Sequence, residues 1–84
     1  MYAIVENDNE KVYSVHLRTR RDSAIKLAIR MFKEQYEGSG YIQDEIDVKA
    51  EVARDNLEEF GAVYVGDWGV TVITTAKGPK KWKL

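Results

Sequence analysis

One histidine and no cysteine stand among these 84 residues, which closes most routes to metal ligation and nucleophilic catalysis before geometry is considered. His16 shares a strand face with Ser14 in the sequence pattern. Residues two apart in a strand are separated by ~6.6 Å along it, too far for backbone position alone to pair a serine with a histidine. The six glycines are dispersed as turn and cap residues and match no phosphate-cradling loop. The chain is therefore expected to be no enzyme, with no catalytic residue, no metal and no cofactor.

What remains is charge in patterns that could bind. Arg18, Arg20 and Arg21 gather where a helix begins, and the free N–H groups of a helix start favour an anion. Asp47, Glu51, Asp55 and Glu59 recur every four residues, so as a helix they form one acid row. Like charges at that spacing cost ~0.2–0.5 kcal/mol per pair, and a helix that keeps them can present acid to a basic partner. Lys77, Lys80, Lys81 and Lys83 surround Trp82 without any acid among the last seventeen residues. Lysine with an aromatic combines phosphate attraction with base stacking, the ingredients of single-strand nucleic-acid binding. The net charge of -1 hides this asymmetry: residues 43–67 carry eight acids against Lys49 and Arg54.

The elements that must position these groups follow from periodicity. Ala24, Ile25, Ala28, Ile29, Met31, Phe32 and Tyr36 repeat at three and four, one stripe of a helix. Thr19 with Asp22 reads as its capping box and Gly38 as its stop, which predicts a helix from Thr19 to Gly38. Tyr2 to Glu6 and Lys11 to Arg18 flank Asn7-Asp8-Asn9 as a β-hairpin. In its second strand Tyr13, Val15 and Leu17 are expected to meet the helix, leaving Val12, Ser14, His16 and Arg18 on the other side.

Residues 44–60 admit two readings. Ile46, Ala50, Ala53, Leu57 and Phe60 are spaced as a helix, while Ile46, Val48, Ala50 and Val52 alternate as a strand. The helix is favoured, because it also explains Leu57 and Phe60 and puts Gly61 where a C-terminal cap belongs. The rival is a strand near 45–52 followed by a short helix. Ala62 to Val65 and Val70 to Thr75 then form a second hairpin through Gly66-Asp67-Trp68-Gly69, with Gly69 supplying a positive φ.

The order ββααββ predicts an α+β two-layer sandwich, with a four-stranded, mostly antiparallel sheet and both helices on one face. Residues 1–76 make one compact domain and 77–84 a basic tail. The open sheet face would hold Val5, Val12, Ser14, His16, Tyr64, Thr71, Ile73 and Thr75, apolar enough to serve as a dimer or partner surface. No run approaches membrane-spanning length and the start lacks a signal-peptide pattern, so a cytoplasmic protein without membrane contact is expected.

Leu57-Glu58-Glu59-Phe60-Gly61 running into Val63-Tyr64-Val65-Gly66-Asp67-Trp68-Gly69-Val70 resembles small orphan proteins of tailed bacteriophages and prophages. That resemblance implies a compact accessory protein that acts by binding, in the manner of phage inhibitors of host defence or of host enzymes. It carries over no site residue. The leading expectation is a non-enzymatic protein-binding module for a basic partner surface, using Asp47, Glu51, Asp55 and Glu59, with Tyr64 and Ile73 on the open sheet face, where a homodimer could also form. The alternative is a small nucleic-acid-binding protein using Arg18, Arg20, Arg21, Lys80, Lys81, Trp82 and Lys83.

Overall fold

The computed structural model describes residues 1–9 and 11–75. Its order is β1 (Tyr2–Asp8), β2 (Lys11–Arg18), α1 (Arg21–Glu34), α2 (Gln43–Phe60), β3 (Ala62–Val65) and β4 (Trp68–Thr74). The four strands form one antiparallel sheet in the order β2-β1-β4-β3. The ββααββ α+β sandwich expected from periodicity is the fold observed. Two sequential hairpins meet through β1 and β4, so the strands most distant in sequence are the central pair.

The core lies between the helices and one face of this sheet. Ile4, Val63, Trp68 and Val70 pack against Ala24, Ile25, Ala28, Ile29, Met31 and Phe32 of α1 and Ala50, Ala53 and Leu57 of α2. Every residue of the expected α1 stripe from Ala24 to Phe32 is buried, as a 3.6-residue period requires when one side faces a sheet. Antiparallel partners share a face. Tyr2, Ile4 and Glu6 therefore point toward the helices together with Val70, Val72 and Thr74.

The α2 helix resolves the ambiguity of residues 44–60 in favour of a helix, with Ile46, Ala50, Ala53 and Leu57 buried. Gly61 caps it in the left-handed conformation (φ 79°), its N–H donating to the Leu57 carbonyl at 3.0 Å, the backbone state that glycine reaches without strain. At the other end the Ile42 N–H donates to the Glu45 carboxylate at 3.2 Å. Phe60 is exposed rather than buried, because it lies in the last turn, where the chain already leaves the core.

Four sequence expectations are corrected. Arg20, not Thr19, is the N-cap of α1, and it makes no side-chain capping bond. Strand pairing runs to Arg18, so Thr19 is spent in the bend and lies one position too early to cap. The helix ends at Glu34 with Gln35 as its C-cap, short of Gly38. Second, β2 is turned over: its register sets Ser14 against Glu6, His16 against Ile4 and Arg18 against Tyr2, while Val15 and Leu17 pair with Val5 and Ala3 on the open face. As an edge strand, β2 is not covered by the helices, so its polar side can face the helix layer without being buried. The expected helix contact of Tyr13 concerns a side chain outside the described residues.

Third, Val12 is separated from Ser14 and His16, with which alternation grouped it: a register shift beyond Glu6 pairs it with Asn7 and keeps it on the open face, where it was expected. A β-bulge resets which side chains share a face, so Val12 joins Val15 and Leu17 and parts from Ser14 and His16. Fourth, the second hairpin has a two-residue loop, Gly66-Asp67, and Gly66 carries the positive φ of 59°, which suits the first central position of such a turn. Gly69 and Trp68 belong to β4. Gly69 is glycine for space: a Cβ there would come within 2.6 Å of the Tyr64 ring at Cε1.

Candidate partner-binding surfaces

Of the chemistry-bearing residues, Ser14 is committed structurally. Its hydroxyl donates to one oxygen of Glu6 at 2.7 Å, and Trp68 Nε1 donates to the other at 2.9 Å. The Glu6 carboxylate thus ties β2 to β4 across β1, and Ser14 has no bond to His16. Trp68, only 4% exposed, can be buried because its one polar atom has this acceptor. No group of three or more His, Cys, Asp or Glu able to hold a metal occurs among the described residues.

The arginine corner is partly occupied. Arg18 Nη1 donates to the Leu17 carbonyl at 2.7 Å, and Arg21 Nη2 to the Glu58 carbonyl at 3.1 Å. The second contact joins the first turn of α1 to the last turn of α2, where unpaired carbonyls attract a cation. Arg20 stays exposed with no such contact among the described residues. Lys80, Lys81, Trp82 and Lys83 lie outside the described residues.

The acid row is exposed along its length, and its members differ. Asp47 accepts from Gln43 Nε2 at 2.8 Å and pairs with Lys33 Nζ of α1 at 3.4 Å. The Gln43 hydrogen bond first, and Lys33 after it, hold its carboxyl below the usual aspartate value. Glu51 lines the α1–α2 groove with Lys33, Asp47 and Arg54. Asp55 and Glu59 turn to the outer surface, and neither they nor Glu58 form an ion pair with a described residue.

Beside that outer acid flank stand two residues that periodicity does not account for. Val48 and Val52 are 61% and 57% exposed in the middle of α2. They border a shallow cleft of about 320 Å³ whose other walls include Phe32, Tyr36, Ala53, Val63 and Tyr64. Helical spacing places Glu45 one turn before Val48 and Asp55 one turn after Val52, with Glu59 on the same side a further turn on. Lys49 does not offset the acids freely. Its ammonium sits 5.6 Å from the Tyr36 ring centre and 5.1 Å from that of Tyr41, a cation held over aromatic faces.

Chain comparison with protein-family models, curated proteins and solved structures finds no match. The surfaces themselves are what describe this protein.

The sequence pattern had a signal for Val48 and Val52. Both belong to the alternating series that supported the strand alternative, and once residues 44–60 are helical they are left outside the buried stripe. Tyr64 and Ile73 lie by register on the sheet face opposite the helices, where alternation put them, and at the β3 edge Tyr64 also reaches the cleft. No described helix is long and apolar enough to cross a membrane.

Proposed function

We propose that this chain is a non-enzymatic protein-binding module whose contact surface is α2, and that its partner offers an apolar anchor flanked by basic residues. The observation that supports this reading is the adjacency of the exposed Val48–Val52 pair and its cleft to the unpaired acids Asp55 and Glu59. An apolar pocket contributes affinity by desolvation, and an acid rim contributes orientation and encounter rate. A helix face exposed only for solubility would carry the acids without the valines. The sequence resemblance to phage accessory proteins extends this to an inhibitor that covers a basic surface of a host defence protein or host enzyme in the cytoplasm.

The test is affinity capture from a lysate of the native host with three baits: the wild type, Glu51→Lys/Asp55→Lys/Glu59→Lys, and Val48→Lys. A protein recovered by the wild type and lost by both variants, each folded by circular dichroism, is the expected result. If every captured protein were retained by both variants, α2 would not be the contact surface.

A further inference from the structure

The sheet face turned away from the helices is covered by nothing described in this chain. Register divides it into three cross-strand rows: Leu17, Ala3 and Ile73; Val15, Val5, Thr71 and Ala62; Val12, Asn7, Gly69 and Tyr64. None of these eleven residues is charged. Leu17 and Val15 are each 55% exposed, and Tyr64 is 63% exposed. Ala3 is buried yet lies outside the helix-side core cluster, because Leu17 and Ile73 flank it on this side. An antiparallel sheet with one solvated face ordinarily alternates apolar and polar residues; this one carries mostly apolar residues and no charge on the face expected to be wet.

We propose that this face packs against the same face of a second copy, making a symmetric dimer of four layers with the helices outermost. Its lack of charge fits an equally uncharged partner. A phosphate backbone needs cations, and a strongly acidic or basic protein needs opposite charge. The relief of the face is self-complementary. Val12, Val15 and Leu17 make a ridge along β2, whereas Ala62 and Thr71 leave lower ground on β3 and β4, between Ile73 and the Tyr64 ring that lies over Gly69. A two-fold axis running along the strands between the sheets sets the ridge of one copy over the low ground of the other, an isologous contact.

Two facing sheets with nearly aligned strands interdigitate at a spacing of ~10 Å. Strands of seven, eight, four and seven residues, rising ~3.3 Å per residue and ~4.8 Å apart, give a flat footprint of about 410 Å² per copy. With side-chain relief added, the pair reaches the roughly 1,000 Å² at which specific interfaces begin.

Sedimentation equilibrium from micromolar to millimolar protein tests this directly. The wild type should shift from a mass of 9.7 kDa to twice that mass. Val15→Lys and Ile73→Lys, both at exposed positions, should remain monomeric with unchanged circular dichroism, whereas Val48→Lys on α2 should dimerise like the wild type. A wild type monomeric throughout the range would overturn the proposal, as would a dimer that survives both sheet-face substitutions. A monomer that associates only after residues 76–84 are removed would also overturn it, by assigning the face to the chain's own C-terminal segment.

Discussion

Replacing Gly69 by alanine should change sign with the residue opposite it. Gly69 lies within β4 without a positive φ, so an alanine there carries no backbone strain. The obstacle is the Tyr64 ring, with Asn7 Oδ1 next at 3.2 Å from the position of the new Cβ. In the wild type the ring must swing off the sheet or the strands must part, and overpacking of this kind costs about 1–3 kcal/mol. In a Tyr64→Ala background only the Asn7 side chain has to shift slightly, and alanine should stabilise by about 0.5–1 kcal/mol, because glycine loses more chain entropy in a strand. The two effects together give a coupling of about 1.5–4 kcal/mol. Against a total stability of roughly 4–13 kcal/mol for a chain of this length, that is readily measured. Urea denaturation of the four proteins in the cycle, at a common m-value, provides the numbers. Equal effects of Gly69→Ala in both backgrounds would refute the assignment of Tyr64 as the reason for this glycine.

Leu57→Ala removes a side chain buried between α2 and the core and should cost about 2–5 kcal/mol by urea denaturation. Gly61→Ala forces alanine to φ 79° with its Cβ 3.3 Å from the Val72 carbonyl oxygen. It should lose about 1–2 kcal/mol from the left-handed backbone alone, seen as a lower thermal midpoint. Arg20→Asp supplies the missing cap of α1 and a favourable dipole contact, and should stabilise by about 0.5–2 kcal/mol. Asp47 should titrate below the usual aspartate value in a carboxyl NMR titration, moving upward more in Gln43→Ala than in Lys33→Met. Since its folded pKa is depressed, its contribution to stability is present above the unfolded value and fades as pH falls through the folded one.

Elements with strong periodicity were legible in the chain itself. The stripe from Ala24 to Phe32 and the series Ile46, Ala50, Ala53, Leu57 report one buried side each, and Gly61 marked the end of α2 because its position requires a conformation other residues avoid. The orientation of β2 was not legible. Alternation marks Val15 and Leu17 as its apolar face, which ordinarily turns inward, and that it turns outward here depends on the strand's place at the sheet edge and on the register shift near Val12, neither of which is local. Trp68 was misplaced for a related reason: between Gly66-Asp67 and Gly69 it sits in turn-forming company, and the Glu6 acceptor that favours its burial lies on β1, adjacent in the sheet but far away in sequence. The acid row was legible as a row, but not the division that Lys33 and Gln43 impose on Asp47, which depends on how α1 lies beside α2.

The central pairing of β1 with β4 has a consequence for synthesis. Ile4 finds its partner Val72 only across almost the whole intervening sequence, so the first strand leaves the ribosome long before its neighbour exists. At about 5–20 residues per second Ile4 waits roughly 3–14 s for Val72 to be made. During that interval both faces of the nascent hairpin are exposed, and Val5, Val12, Val15 and Leu17 are available to any other strand. A nascent chain of this kind is a natural client for a ribosome-associated chaperone, and its yield should depend on translation speed more than its final stability would suggest.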